Sequence, residues 1–342
     1  MHLLLYTYLL TSLTIVTSGW STPSSSQQKP SAFHRAILVT GANKGQGKAL
    51  CERILTEYDD TFVFLCSRDL QRGLDAAAGE ELVRYQDRIR VIQLDVTCPS
   101  SVIAAVQDVQ KVLHGLENGG KLHGILSNAG ILWGHTLSEL MDVCATGVVR
   151  VLNNFLPLMQ EDGRVIVVSS GLAPLMLGYA DSECHEKLMS DECSWEGTIE
   201  SMIHKCLETY DKYSMEDRPK KFAEIGFPGG PFAEVVPDFH MYGLAKMFAD
   251  VYMLTLSKSH PNLRINSVDP GLVYTDLILK MEKYAGKEIE DTGAQTPKQG
   301  VEAAMRLLFE EGTGKGDACG EFYAMNKEKT NLVHSAIDVK PN

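Results

Sequence analysis

The chain has 342 residues, 44% of them hydrophobic and 22% charged, which is long and apolar enough for a large buried core. Its formal net charge of −12 excludes the broad basic face that nucleic-acid binding needs. Eight cysteines without a CxxC pair read as scattered thiols, with Cys51 and Cys66 in expected core elements, and not as a disulfide framework or a zinc site.

The first segment stands apart. Leu3–Val16 is an apolar run too short to span a bilayer comfortably, followed by small residues at Val16-Thr17-Ser18-Gly19 and a Ser/Gln/Pro stretch to Pro30. That layout predicts a signal peptide and flexible spacer over residues 1–30, although no Lys or Arg precedes the apolar run. A short membrane anchor or a disordered tail is the other reading. Entry into the secretory route is therefore expected, with no stable membrane span once the leader is removed. A cytoplasmic location follows if the leader is no signal. "PSAFHR" at 30–35 also loosely resembles the bipartite leaders of algae with complex plastids.

From Arg35 the chain alternates. Apolar, β-branched runs ("AILVT", "TFVFLCS", "IRVIQLDV", "HGILSNAG", "RVIVVSS", "RINSVDPG", "GEFYAM") are mostly separated by helix-period stretches such as "GKALCERILTEY" and "SSVIAAVQDVQKVLHGL". Strands apolar on both faces and alternating with helices predict an α/β fold with a parallel sheet covered on both sides. One irregular region, about 171–239, is too long for a bare loop and is expected to hold a helix or two.

"VTGANKGQGKAL" ends the first strand and opens a helix. Gly41, Gly45 and Gly47 lie in that turn, where backbone without Cβ can approach a pyrophosphate and the helix N-terminus favours its charge. The spacing is G-x-x-x-G-x-G, and a glycine turn can also serve structure alone. At the end of the second strand, "FLCSRD" places Arg68 where an adenosine ribose is read. With Lys44 it would favour the 2′-phosphate of NADP, unless Arg68 merely pairs with Asp69 or solvent. Within "HMYGLAKMF", Tyr242 and Lys246 share one helix face, either as a surface contact or as an acid beside a cation that lowers its pKa.

"TGANKGQG", "LDV" (94–96), "SNAG" (127–130), "VVSS" (167–170), "YGLAK" (242–246) and "DPGLVYTD" (269–276) occur in the order and rough spacing of the short-chain dehydrogenase/reductase superfamily, which residues 35–325 resemble throughout. The glycine turn, the arginine of "CSRD" and the long segment before the tyrosine resemble most the NADPH-dependent carbonyl reductase branch. The resemblance implies a doubly wound Rossmann fold over 31–342, with a seven-stranded parallel sheet in the order 3-2-1-4-5-6-7 and a helical insertion before the tyrosine. It implies a monomer that reduces a small ketone, aldehyde or quinone with NADPH.

It also implies roles. Ser170 would hydrogen-bond the substrate carbonyl, Tyr242 would donate the proton, and Lys246 would hold the nicotinamide ribose and lower the tyrosine pKa. Gly41, Asn43, Lys44, Gly45, Gln46, Gly47 and Arg68 would hold the phosphates, and Asp95 and Val96 the adenine. Asn128, Ala129 and Gly130 would line the middle of the cofactor, while Pro270, Gly271, Val273 and Thr275 clasp the carboxamide. Two hydroxyl donors aimed at a carbonyl oxygen that gains negative charge lower the barrier where the charge develops.

Two positions depart from the pattern. Cys144 in "VCATG" stands where the family carries an asparagine, and a thiol is a poor hydrogen-bonding substitute. Gln46 stands where the turn usually carries an aliphatic residue. The alternatives to a general reductase are thus a weakened NADP-binding protein, a narrow biosynthetic ketoreductase with the insertion as its lid, or a nucleotide-sugar epimerase, against which the glycine spacing and "SNAG" argue. The thiols and histidines of the insertion (Cys184, His185, Cys193, His204, Cys206) match no compact metal-ligand spacing, and no metal site is expected. A Cys184–Cys193 disulfide stays open.

Overall fold

A computed structural model of the chain describes residues 33–116, 119–228, 237–281, 284–314, 319–325 and 331–334. All lie in one compact unit, Ala32–Asn342. The leader and part of "FPGGPF" fall outside the described residues.

Among the described residues eight strands form one sheet in the order β3-β2-β1-β4-β5-β6-β7-β8. They are β1 Arg35–Val39, β2 Thr61–Ser67, β3 Ile89–Gln93, β4 Leu122–Ser127, β5 Met159–Val168, β6 Arg264–Asp269, β7 Phe322–Met325 and β8 Leu332–His334. The first seven run parallel in the expected order. The eighth is an addition to the expectation: Leu332–His334 pairs antiparallel with β7. Six residues separate β7 from β8, too few for the crossover a parallel partner requires. Three residues also carry no readable alternation.

Alternation along each strand sends successive side chains to opposite layers. Ile37 and Val39 pack with Leu50 and Ile54 of α1 (Gly45–Glu57), whereas Ala36 and Leu38 pack into the other layer. That second layer holds α3 (Pro99–Leu113), α5 (Gly147–Phe155) and α10 (Pro237–Ser259). Between α1 and α3, α2 (Leu70–Ala78) starts at Asp69, whose side chain accepts the Arg72 N–H. Helix α12 (Glu302–Phe309) joins α1 on the first layer. β1 therefore has neighbours on both sides that follow it in sequence. The crevice at this reversal, at the carboxyl ends of β1 and β4, is where the glycine turn and "SNAG" emerge.

The insertion exceeds the expectation of a helix or two. Among the described residues it contains α6 (Leu172–Gly178), α7 (Ser182–Met189), α8 (Glu200–Lys212), α9 (Arg218–Glu224) and a π-helical turn, Trp195–Ile199. These pieces are short, and Asp181 and Ser194 cap two of them, so no long apolar period marks them in the sequence. All eight cysteines carry free thiols, Cys184 and Cys193 included. Among the described residues no helix is long and apolar enough to cross a membrane.

Candidate active site

The cofactor end is built from backbone. Gly41 has φ +63°, and a Cβ on it would stand 2.9 Å from the Ala129 Cα. A Cβ on Gly47 would come within 2.4 Å of the Gly41 carbonyl and 2.6 Å of Asn128 Nδ2. Any side chain at either place would push the glycine turn off the segment after β4. Thr40 fastens the two together: its hydroxyl accepts the N–H groups of Asn128 (2.9 Å) and Ala129 (3.0 Å), and Asn128 Nδ2 donates to the Thr40 carbonyl at 2.9 Å. Lys44, the N-cap of α1, supplies no side-chain cap, so the first-turn N–H groups stay available to an anion. Asn43 lies half-buried in this turn and Gln46 half-buried in the first turn of α1.

The expected adenine and ribose residues border this cradle. Asp95 holds Thr97 through its N–H (3.0 Å) and hydroxyl (2.7 Å), and Val96 is anchored by Arg150, which donates to its carbonyl. Arg68 is exposed, and among the described residues no carboxylate forms an ion pair with it. Asp69 does not pair with it but caps α2. Lys44 is engaged elsewhere: its Nζ lies 2.5 Å from Asp276, at the start of α11 (Asp276–Leu279).

The carboxamide segment is held by Gln295, whose Nε2 donates to the Pro270 carbonyl (2.9 Å) and whose backbone brackets Val273. Gly271 takes φ +70° and donates its N–H to Asp269 at 2.9 Å. Thr275 reaches the glycine turn, 3.4 Å from the point where a Gly45 Cβ would stand. Trp133, three residues past "SNAG", donates its indole N–H to the Leu277 carbonyl and packs on Phe239 with ring centroids 5.1 Å apart. Both edges of the crevice are thus tied to the α11 segment.

The other end of the crevice is built from buried polar side chains. Helix α10 is buried on most sides along its length, and Tyr242 and Lys246 lie inside it. Lys246 Nζ donates to the Val168 carbonyl at 2.6 Å and sits 5.6 Å from the centre of the Tyr242 ring. Gly243 explains how Ser170 arrives beside them. A Cβ there would lie 2.8 Å from Met176 and 3.3 Å from Leu172, so glycine lets α6, which starts two residues after Ser170, lie directly on α10. Ser170 Oγ in turn accepts the Leu172 N–H at 3.3 Å. Tyr242, Lys246 and Ser170 are therefore gathered at the ends of β5 and β6, next to the cradle.

The electrostatic balance differs from the expected one. Burial pushes the Tyr242 phenol well above its ordinary range, and the Cys144 sulfur and the Asp269 and Asp250 carboxylates push the same way. The Lys246 ammonium does not reverse this, because it is turned to the Val168 carbonyl and faces its own acidic neighbour, Asp250.

Cys144 occupies a π-helical turn, Asp142–Thr146, between α4 (Leu137–Met141) and α5. Its thiol donates to the Ile131 carbonyl at 3.6 Å. A side chain on Gly130 would begin 3.8 Å from Lys246 Nζ and 3.9 Å from Cys144 Sγ, which puts the thiol near the lysine. Asn153 and Asn154 do not substitute for it: Asn153 accepts the Tyr252 hydroxyl and Asn154 donates to the Arg150 carbonyl.

Residues that sequence reasoning passed over are Ser169 and Asp250, joined at 2.8 Å, and Asp269. The available signal was an acid one turn beyond Lys246 in an otherwise apolar helix.

A glycine cradle that a Cβ would fill, an uncapped helix N-terminus and a buried lysine beside a tyrosine suit a nicotinamide dinucleotide. The comparisons agree. Residues 35–180 match the family described as short chain dehydrogenase. Short-chain dehydrogenase/reductase 1 of Saponaria officinalis is 28% identical over 324 residues, 86% of this chain and 96% of that protein. Carbonyl reductase (NADPH) 3 of Rattus norvegicus is 28% identical over 281 residues, 78% of this chain and 90% of that protein. The structure of salutaridine reductase from Papaver somniferum superposes with a TM-score of 0.65 at 21% identity, covering 84% of this chain and 99% of that one, a likeness of fold. The family match and these relatives support the short-chain dehydrogenase/reductase superfamily, in its carbonyl-reductase-like branch, and an oxidoreductase of the kind that binds a nicotinamide cofactor.

Proposed function

We propose that this oxidoreductase reduces the carbonyl group of a small ketone, aldehyde or quinone to the alcohol, with NADPH as its cofactor. The observation that carries the reading is the meeting of Ser170, Tyr242 and Lys246 beside the glycine cradle. The similarity to a carbonyl reductase named for NADPH supports it. Bound in the crevice, the reduced nicotinamide is the source of hydride. The chain's own residues do the rest. Ser170 Oγ and Tyr242 Oη receive the carbonyl oxygen, and the phenol delivers its proton there as negative charge develops. A phenol kept protonated by burial suits the reductive direction, which needs an acid. Lys246, anchored on Val168, holds the ribose hydroxyls and sets a positive charge next to the phenolate left behind. Arg68, without an ion-pair partner among the described residues, would read the 2′-phosphate.

The test follows NADPH oxidation over a panel of quinones, aldehydes and ketones, with NADH and Tyr242→Phe as controls. NADPH-selective turnover that falls at least about 100-fold in Tyr242→Phe is expected. Silence across the panel with intact cofactor binding would instead support a weakened enzyme. Cys144 is the observation behind that second reading, and Cys144→Asn should then restore turnover. The leader over 1–30 is proposed to direct the chain into the secretory route, a reading checked by N-terminal sequencing of the mature protein.

A further inference from the structure

Helix α10 carries a second buried charge that the proposed reaction does not use. Asp250 is 2% exposed and lies one helical turn beyond Lys246, as Lys246 lies one turn beyond Tyr242. Its Oδ2 accepts the Ser169 hydroxyl at 2.8 Å. Its Oδ1 and the Ser267 Oγ on β6 are both buried, and neither has a hydrogen-bond partner among the described residues. The Ser267 hydroxyl nevertheless lies close enough to favour the ionised carboxyl. Burying a carboxylate costs several kcal/mol unless it is paired, so an acid at this depth calls for a reason.

The neighbours define that reason. On its own helix Asp250 faces Lys246, whose charge favours ionisation. From β5 it faces Ser169, and from β6 it faces Ser267 and Asp269, whose carboxylate opposes ionisation. The π turn contributes Cys144, which acts on Tyr242. Helix α6 carries no titratable side chain, and the one acid of α4, Glu139, is exposed and bound to Thr136. Arg150 of α5 is engaged by Asp142, and Glu196 of the second π turn acts on Tyr252. Burial, opposed by Ser169, Lys246 and Ser267, leaves the Asp250 pKa raised to about 7.

Asp250 also completes a clamp on the end of β5. Lys246 holds the Val168 carbonyl and Asp250 holds the Ser169 hydroxyl, and next in the chain is Ser170, the residue proposed to receive the substrate carbonyl. The two unpartnered atoms fit a carboxyl with two states. Protonated on Oδ1, it can donate to Ser267 Oγ and satisfy both atoms. Ionised, it is a counter-charge for Lys246.

We propose that Asp250 is a positioning residue for this reaction, a proton-dependent counter-ion that divides the Lys246 charge between itself and Tyr242. Protonated, it leaves the ammonium to the phenol. Ionised, it draws on that charge and adds its own negative field, so the phenol holds its proton more firmly. The inference rests on the reductase reading for its catalytic meaning, but not for its test.

The experiment is an absorbance titration of phenolate in the native protein and in Asp250→Asn, each corrected by subtracting the same background carrying Tyr242→Phe. It needs no substrate. Asparagine keeps an acceptor for Ser169 and removes the charge, so Tyr242 is expected to ionise at lower pH, by roughly half a unit to one unit. Where carbonyl turnover is found, the near-neutral inflection in the kcat/KM profile should vanish in Asp250→Asn while cofactor affinity holds. Ser169→Ala, which removes the Oδ2 hydrogen bond and keeps the carboxyl, is the second variant. It should move that inflection upward and serves if Asp250→Asn does not fold. Tyr242 ionisation that coincides in native and Asp250→Asn protein would overturn the proposal, as would Ser169→Ala with an unmoved profile. A shifted phenolate titration without turnover on any carbonyl would uphold Asp250 and sink the reductase reading alone.

Discussion

The glycine turn and helix α10 face the same crevice and are built by opposite means. The turn works by what is missing: Gly41 and Gly47 leave room that a single methyl group would take from Ala129, Asn128 and the turn's own carbonyl. Its charged members, Lys44 and Arg68, are exposed and sit in water. Helix α10 instead encloses Tyr242, Lys246 and Asp250 among apolar side chains, with Val168 and Ser169 as partners. The contrast shows a division of labour. Binding a polyanionic dinucleotide takes backbone dipoles and solvated cations, which cost little to hold. Moving a proton takes groups out of water, where each charge strongly affects its neighbours.

The largest expected effect breaks the first region. Gly47→Ala places a Cβ against the Gly41 carbonyl and Asn128, neither of which can retreat without opening the Thr40 hydrogen bonds. Cofactor affinity measured by fluorescence should fall more than about tenfold, and the fold should lose about 1–3 kcal/mol in denaturant unfolding. Unaltered binding would mean that the cradle is not the phosphate site.

An effect on stability of similar size belongs to the second region and depends on pH. His240, on α10, is buried and its ring lies 2.6 Å from the Pro228 carbonyl; since a carbonyl only accepts, Nε2 carries the proton. Burial pushes its pKa down to about 4. The folded state therefore binds fewer protons than the unfolded state between about 4 and the ordinary histidine value near 6.5. Stability is full above about 6.5 and lost as pH falls toward 4, by up to about 3 kcal/mol. Native and His240→Gln protein, unfolded in urea across this window, should differ in slope. Parallel curves would remove His240 as the cause.

The smallest effect sharpens the contrast. The Lys44–Asp276 pair is solvent-exposed, and such pairs contribute about 0–1 kcal/mol. Asp276→Asn should leave stability nearly unchanged and release Lys44. Affinity for NADPH should rise about two- to fivefold at low salt, affinity for NADH should not change, and the gain should fade as salt is added. A gain of equal size for both cofactors would show that Lys44 does not read the 2′-phosphate.

The two regions also differ in how far they can be read from the chain. The parallel strands and the glycine cradle were legible because glycines and β-branched runs are local patterns, and the number and order of the strands followed from the family resemblance that the motifs carry. Three features were not. Leu332–His334 is too short to show a period and becomes a strand only because β7 offers an open edge. The π turn around Cys144 sits inside a helical stretch and inserts one residue per turn without changing composition. The short helices between Ser170 and Tyr242 mix charged and apolar residues and are held by caps.

By itself the sequence determined the alternation of strands and helices, the glycine turn and the residues Ser170, Tyr242 and Lys246, since each is set by side-chain type at a given spacing. Only the tertiary structure decided what those residues experience. The direction of the Tyr242 shift, the place of Cys144 near Lys246 and the meeting of Asp250 with Ser169 and Lys246 arise from groups far apart in the chain. Their effects depend on distance and on exclusion of water, and neither is a property of any one stretch of sequence.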